Sequence, residues 1–296
     1  MHYLKLIALY CYISECYNTE LCWYCQRFSN NNKPDFTDAE LLTIYIFCIT
    51  EEEKFKVKSI HDYARKYLIS WFPELPSYQA FNRRLNRLAP VFPYLVMSLL
   101  KAVDQAGIRL DISVMDSMPI ITCSGRRKGK VAPQLTDKGY CSTKKLHYYG
   151  VKLHGMAFHR PCKLPLPEFF VLTQASEHDL NAFRHVLFQL LDRAFFADKA
   201  YANQELNEEL QNKNDSFIYT PVKLVKGETQ HRRQFKAAAD KLFSAEVSRI
   251  RQPIESLFNW LIDKTDIQRA SKVRSLQGLI VHVFGKIAAA ISLWVF

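Results

Sequence analysis

The sequence predicts an α/β fold in which a mixed sheet flanked by helices follows an all-helical N-terminal domain. Apolar residues recur every three or four positions over the first part of the chain, which indicates amphipathic helices. Alternating, β-branched segments then appear among further helical patterns, which is typical of an α/β domain. We therefore expect a helical domain at residues 1–105 and an α/β domain at residues 106–296.

The helical domain is predicted to contain helices with recognisable starts. Helical periodicity covers residues 38–47, 60–68 and 78–88, and the residues suited to cap the first and the third of these are Thr37 or Asp38 and Ser77. The third helix carries Arg83, Arg84 and Arg87. Two interpretations of these arginines are open: a helix-turn-helix-like DNA contact, or an ordinary helical cap with solvated arginines.

The α/β domain is predicted to start with a strand that ends at Asp116. A hairpin should follow, because several prolines separate two alternating segments. The remaining elements are expected to be a helix, two short strands and a helical C-terminal region that Pro253 kinks or restarts. The corresponding segments are 108–116, 148–158, 168–173, 181–191, 194–198, 217–220 and 235–296.

Three carboxylates lie in otherwise apolar segments, at Asp116, Asp198 and Glu255. A buried charge is costly unless a partner neutralises it or a cation binds it. If the strands ending at Asp116 and Asp198 are neighbours, both side chains project from one sheet edge, and Glu255 would sit on a helix packed across the sheet. The three carboxylates could then share two Mg²⁺ ions about 3.5–4 Å apart.

The positive charge is large and clustered. Lys and Arg number 40 against 29 Asp and Glu, which gives a net charge of +11. Basic residues concentrate at 120–160 and 223–251, and such clustering is typical of contact with a phosphate backbone. The residues predicted to contact DNA are Arg126, Arg127, Lys128, Lys144, Lys145, Lys199, Arg249 and Arg251.

Four segments, 114–119, 139–154, 197–201 and 251–260, resemble DDE transposases of bacterial insertion sequences, and within these the 982 group. The resemblance implies a ribonuclease-H-like catalytic domain in which Asp116, Asp198 and Glu255 are the catalytic acids. It also implies that these acids bind two Mg²⁺ ions, with Mn²⁺ able to substitute. Ser248 and Ile262 stand where the related signature helix has a tyrosine and a lysine.

The function implied by the resemblance is metal-dependent cleavage at the ends of an insertion sequence and strand transfer into target DNA. The expected partners are double-stranded DNA, both terminal inverted repeats and target, and further copies of the chain in a homodimer or higher oligomer. No membrane partner is expected, and the expected location is the bacterial cytoplasm, at the nucleoid. Two alternatives remain open: a stand-alone Mg-dependent nuclease, and a non-catalytic DNA-binding remnant of a transposase.

Two other acids and one apolar segment carry weaker predictions. Asp137 is interpreted as a turn residue, with a fourth catalytic acid as the alternative, and Asp179 is interpreted as a helix N-cap. The segment 278–296 is interpreted as a helix packed on a core rather than a membrane segment. For the N-terminal domain as a whole, binding of DNA ends and dimerisation are both open.

Overall fold

The computed structural model describes residues 2–27, 34–103, 108–126, 129–141, 145–223 and 230–296. The chain divides into two compact units. Unit 1 comprises Met1–Asp104, Lys130–Gln134 and Leu261–Phe296, and unit 2 comprises Gln105–Gly129 and Leu135–Trp260. This division differs from the boundary expected at residue 105, because the C-terminal residues from Leu261 belong with the N-terminal helices.

The helices of the described residues are, in chain order, α1 (His2–Thr19), α2 (Asp38–Thr50), α3 (Val57–Tyr67), α4 (Tyr78–Arg87), α5 (Val91–Ala102), α6 (Asp179–Leu187), α7 (Gln204–Asn214), α8 (Gln230–Arg251), α9 (Pro253–Thr265), α10 (Leu276–Ile280) and α11 (Lys286–Val295). Short 3-10 helices cover Leu21–Cys25 and Lys199–Tyr201, and a π-helical turn, Val281–Gly285, joins the last two helices. The strands are β1 (Arg109–Ser124), β2 (Asp137–Cys141), β3 (Leu146–His159), β4 (Leu166–Gln174), β5 (Ala194–Phe196) and β6 (Phe217–Tyr219). The predicted mixed α/β class, preceded by helices, is confirmed.

Unit 1 is organised around α2, which is buried on almost every side. Its start is fixed by a capping box in which Thr37 and Glu40 each bind the other's backbone N–H. Ser77 caps α4 in the same way, by accepting a hydrogen bond from the backbone N–H of Ala80. The helix starts predicted from local sequence are therefore confirmed, because caps act within one turn of the helix.

The C-terminal helix α11 packs against α2 and α5 within unit 1. Its alanines at 288–290 and the flanking isoleucines are buried, and small side chains allow such close approach. Gly285 shows how close the contact is, because an added Cβ would lie 2.8 Å from the Tyr45 ring. The segment Leu276–Val295 is long and apolar enough to cross a membrane, but 61% of its most apolar window is buried, as in core helices that meet the same criterion. This burial agrees with the prediction of a helix packed on a core.

A buried carboxylate, Asp38, ties together the polar side of unit 1. Its side chain is 4% exposed and accepts hydrogen bonds from Arg27 at 2.6 Å, Arg84 at 2.8 Å, Arg87 at 3.1 Å and the Tyr17 hydroxyl at 3.0 Å. Burial by itself would raise the pKa of Asp38, but the hydrogen bond from Arg84 and the charge of Arg27 hold that pKa below its ordinary value.

The structure gives two of the α4 arginines a partner that neither interpretation included. Arg84 is partly buried and Arg87 is 38% exposed, and both bind the Asp38 carboxylate. A DNA contact by the exposed arginines of α4 stays a prediction. Arg83 is exposed. The sequence could not indicate this pairing, since the partner lies more than forty residues earlier in the chain.

Unit 2 is built on a six-stranded mixed sheet. Strand β3 pairs antiparallel with β1 on one side and with β2 and β4 on the other, whereas β1, β5 and β6 are parallel neighbours. The predicted hairpin is confirmed as β3–β4. Strand β2 was not predicted, because it is a five-residue edge strand that has little apolar alternation.

Strand β1 does not end at Asp116, and that expectation was wrong. The strand continues to Ser124, where it still pairs with Tyr148 of β3. Met118 and Ile120 are buried and continue the alternation of the strand. The half of β1 after Asp116 therefore also packs one apolar face against the core. Asp116 therefore lies in the middle of the central strand.

One face of the sheet packs against α6 and α7 around a shared core. The core residues come from strands, helices and the turn after β5: Met115, Met156, Leu180, Phe183, Leu187, Phe195, Ala197, Tyr201, Leu206, Leu210 and Ile218. Because successive strand residues point to opposite faces, Met115 in this core places Asp116 on the other face.

We expect replacement of the Asp38 carboxylate to destabilise unit 1 severely. Asp38→Asn leaves three arginine side chains without their anion, and breaking a buried charge network costs about 3–5 kcal/mol. Urea unfolding measures the loss. The matched control is Asp62→Asn. Asp62 is 55% exposed, pairs with exposed Lys58 and lies 4.0 Å from His61 Nδ1, so its loss should cost less than about 1 kcal/mol. Equal effects of the two substitutions would contradict this account of Asp38.

Candidate active site

The first two acids project from neighbouring parallel strands. The last residue pair between β1 and β5 is Val114 with Phe196. Asp116 and Asp198 each lie two residues beyond that pair, so they share a position along the sheet and a direction. Asp198 lies just after the end of β5, and its carboxylate accepts the backbone N–H of Ala200 at 2.8 Å and so caps the following 3-10 helix. The predicted neighbouring strands are confirmed.

The third acid, Glu255, is in the first turn of α9. Gly155 of β3 lies directly opposite Asp116, and a Cβ there would be 3.1 Å from the ring of Phe258. The missing side chain lets Phe258 pack closely on the strand, and Phe258 lies one helical turn after Glu255. This contact holds the start of α9 on the sheet face that carries Asp116.

Arg251 connects the first and third acids directly. Its guanidinium donates to Asp116 Oδ2 at 2.5 Å and to Glu255 Oε1. The Arg251 side chain is 16% exposed, and Glu255 is 50% exposed. Burial by itself would lower the pKa of Arg251, but the two carboxylates raise it above its ordinary value. Arg251 was predicted to contact DNA, and in the structure its donors are used by these acids.

The electrostatics of the site centre on Asp116. Burial raises the pKa of Asp116 to about 6, and the neighbouring carboxylates of Asp198 and Glu255 also raise it. The charge of Arg251 and the backbone N–H of Ser117, which Asp116 accepts at 2.8 Å, act in the opposite direction without cancelling the effect. Asp116 is thus a partly buried carboxylate, 20% exposed, that has too little positive charge near it.

The donor set fits a hard divalent cation, because Mg²⁺ and Mn²⁺ prefer carboxylate oxygens. The excess negative charge at Asp116 fits it as well, since a cation would supply what one guanidinium does not. Across the described ranges, however, no three His, Cys, Asp or Glu side chains are already grouped closely enough to hold a metal ion. Arg251 binds Asp116 and Glu255 in this arrangement, so joint coordination by all three acids requires Arg251 to release a carboxylate.

A second polar network, which the sequence did not predict, starts at the residue after Asp116. Asp179 accepts hydrogen bonds from Ser117 Oγ and from Lys152 Nζ, both at 3.1 Å. It lies 3.8 Å from Nδ1 of buried His154, whose pKa burial lowers to about 4. The expectation that Asp179 is the N-cap was wrong, because His178 caps α6 and Asp179 is its first residue. The sequence feature that could have predicted this network is the pair Lys152 and His154, two polar residues on one face of a largely buried strand.

The hydroxyl of Tyr201 is buried near both networks. Tyr201 is 1% exposed, and its oxygen has no hydrogen-bond partner in the described part of the chain. Burial raises its pKa well above the ordinary value, and the charges of Asp179, Asp116 and Asp198 raise it further. Tyr201 therefore stays a neutral phenol beside the acids.

Asp137, the alternative fourth acid, has a different role. It is the first residue of the edge strand β2, and its carboxylate accepts the backbone N–H of Ser176 at 3.0 Å and the Ser176 hydroxyl. These bonds tie β2 to the loop after β4.

The predicted DNA-contacting residues fall into groups. Arg126 and Lys145 are exposed and lie beyond the last β1–β3 pair, Ser124 with Tyr148. That pair is itself about 27 Å along the strand from Asp116 at 3.4 Å per residue. Lys199 is exposed next to Asp198, and Arg249 is 72% exposed and pairs with Glu246. The predictions for Arg127, Lys128 and Lys144 lie outside the described residues.

Comparison with known proteins gives one family. The family model described as the transposase DDE domain matches residues 108–292, which is more than half of the chain. No curated protein and no solved structure matches the chain significantly.

We expect the stability of the metal-free protein to depend on the ionisation of Asp116. Its pKa is raised from 3.8 to about 6, so the folded state binds a proton more tightly than the unfolded state. The contribution of Asp116 to the free energy of unfolding is fully present below pH 3.8. It is lost as the pH rises through about 6, which lowers the free energy of unfolding by up to about 3 kcal/mol. Urea unfolding in EDTA should show this loss in the wild type and not in Asp116→Asn.

Arg251→Gln supplies the complementary variant. Because the charge of Arg251 lowers the pKa of Asp116, its removal should make the loss of stability with pH larger. Identical pH profiles for the wild type and Asp116→Asn would contradict the raised pKa.

Proposed function

Since the chain belongs to the transposase DDE domain family, we propose that it is a transposase that cleaves DNA at the ends of an insertion sequence and joins the freed ends to target DNA. The observation that carries this proposal is the convergence of Asp116, Asp198 and Glu255 on one sheet face, with Arg251 bound between two of them. Acids so distant in sequence are brought together by the fold rather than by a local turn or cap.

Asp116, Asp198 and Glu255 would hold the metal ions, two Mg²⁺ with Mn²⁺ able to substitute. When bound, such a pair would activate the attacking water or 3′-hydroxyl and stabilise the leaving oxygen. The chain's own contribution is to bury Asp116 and to aim Asp198 beside it from the parallel strand. Both proposed steps displace a group at phosphorus, so one site can serve hydrolysis and joining.

Arg251 neutralises Asp116 and Glu255 while no cation is bound, which limits repulsion between the acids. Its guanidinium is then available to a phosphate once a cation takes over that role, and planar guanidinium groups bind phosphates well. Lys199 and Arg249 are exposed on segments that also carry site residues, and they are suited to bind the phosphate backbone. The proposed partners are terminal inverted repeats and target DNA.

The finer assignments are part of the proposal. A ribonuclease-H-like fold is supported by the mixed sheet, whose central strand carries the first acid while the second follows the parallel neighbour. Membership of the 982 group is supported by the likeness of the four sequence segments alone. A homodimer or higher oligomer is supported by the need to hold two DNA ends together. The proposed location is the bacterial cytoplasm, where the DNA substrate lies, and no membrane partner is part of the proposal.

The test is nicking of a labelled duplex that contains the element end, with and without Mg²⁺. Asp116→Asn, Asp198→Asn and Glu255→Gln should each lower the nicking rate about a hundredfold or more, because each removes a charge that the reaction needs. Binding of the same duplex, measured by fluorescence anisotropy, should persist in all three variants.

The control is Asp137→Asn, which removes an acid whose carboxylate binds the backbone and hydroxyl of Ser176, and it should keep full nicking activity. Nicking by Asp116→Asn at the wild-type rate would refute the assignment. Strand transfer from pre-cleaved ends separates a transposase, which gives joined product, from a nuclease, which does not. Binding without any metal-dependent nicking by the wild type would indicate a non-catalytic remnant.

A further inference from the structure

Unit 1 contains a basic cavity of about 680 Å³, bordered by the start of α3, by α4, by the loop after α9 and by the α10–α11 region. Among the lining residues in the described part of the chain, Asp266 is the single acid. The cations that line it come from both ends of the chain: Lys56, Lys58, Arg269, Lys272, Arg274 and Lys286. We call this feature the unit 1 cavity.

The cations at the mouth of the unit 1 cavity are poorly neutralised. Arg269 is 82% exposed, and its nearest carboxylate oxygen, on Asp266, is 4.0 Å away. Arg274 donates to the backbone carbonyls of Ser271 at 3.0 Å and Val273 at 2.7 Å, which hold its guanidinium in place without cancelling its charge. Lys272 is exposed on the same loop. These side chains are therefore available to an anion.

A sixth cation lies inside the unit 1 cavity. Lys286 is 2% exposed, and its ammonium donates to the backbone carbonyl of Asp266 at 3.0 Å and lies 5.7 Å from the centre of the Phe55 ring. Burial lowers the pKa of Lys286 to about 8. A buried ammonium held by a carbonyl and a ring, rather than by a carboxylate, raises the positive potential of the cavity.

Neutral donors complete the lining. Tyr78, Asn82 and Asn86 from α4 face the same cavity. Tyrosine and asparagine side chains, together with Lys and Arg, supply most contacts to DNA phosphates and sugars. Lys58 pairs with Asp62, and the other five cations still exceed the charge of a single phosphate group, whereas a DNA duplex presents one negative charge about every 1.7 Å along its axis.

We propose that the unit 1 cavity binds the phosphate backbone of duplex DNA, as a DNA contact additional to the catalytic acids and their neighbouring basic residues. The inference rests on the proposed function only for the identity of the polyanion. It assigns DNA binding in unit 1 to a surface made jointly by N-terminal and C-terminal segments, and not to the Asp38-bound arginines of α4.

The test measures binding of the full-length chain to a fluorescent duplex by anisotropy, in EDTA, over a range of salt concentrations. The variant combines Arg269→Gln, Lys272→Gln and Arg274→Gln, which are exposed and leave the core intact. Each lost phosphate contact should reduce the slope of log affinity against log salt by about 0.9, so the slope should fall by about 2 to 3. Affinity near physiological salt should drop about tenfold or more.

The matched control combines Arg65→Gln, Lys66→Gln and Lys101→Gln, which removes the same charge from exposed positions of unit 1 outside the cavity lining. Its slope should change by less than about 1. Equal losses in the two triple variants, or an unchanged slope in the cavity variant, would overturn the proposal.

The binding assay in EDTA does not depend on metal or on cleavage, so its outcome is separate from the nicking test. Metal-dependent nicking together with an unchanged cavity variant would reject the cavity and leave the transposase assignment standing. A cavity variant with the expected slope and a wild type that does not nick would reject the catalytic assignment and leave the cavity standing.

Discussion

The burial of Asp116 in the middle of a central strand is the constraint on which the catalytic unit depends. A carboxylate there needs positive charge nearby, and Arg251 supplies part of it while also binding Glu255, so one guanidinium joins the strand to the start of α9. The close contact of Phe258 with Gly155 fixes the same helix start by packing. The position of Glu255 thus depends on two contacts, the polar one of Arg251 and the apolar one of Phe258. Neither contact can be predicted from the local sequence around Glu255.

Two carboxylates in this protein, buried Asp38 and partly buried Asp116, show how a structural charge differs from one proposed to act in chemistry. Asp38 is bound by three arginines and a tyrosine, and its pKa is lower than ordinary because the compensation is more than sufficient. Asp116 has one arginine and two carboxylate neighbours, and its pKa is raised. Shifted pKa values of the second kind mark sites that are prepared for a cation or a reacting group. By this contrast, Asp38 stabilises the fold, whereas Asp116 is positioned by the fold for the proposed chemistry.

The excess of positive charge acquires distinct roles once it is placed in the structure. Part of it is internal, since the arginines around Asp38 and the guanidinium of Arg251 neutralise buried acids. Another part is exposed near Asp198, at the far end of the β1–β3 pair and around the unit 1 cavity. Counting basic residues therefore overstates the charge available to DNA, and the exposed groups define where phosphates can bind.

The sequence by itself determined the features that depend on neighbours in the chain: the caps Thr37 and Ser77, the β3–β4 hairpin and three acids set in apolar segments. Only the tertiary structure decided the extent of β1, the engagement of Arg251, the network around Asp179 and the joining of the C-terminal helix to unit 1. The physical reason is range. Caps and alternation act over a few residues, whereas neutralising a buried charge or covering an apolar face uses whichever partner the fold brings close, and for Asp116 that partner is 135 residues away.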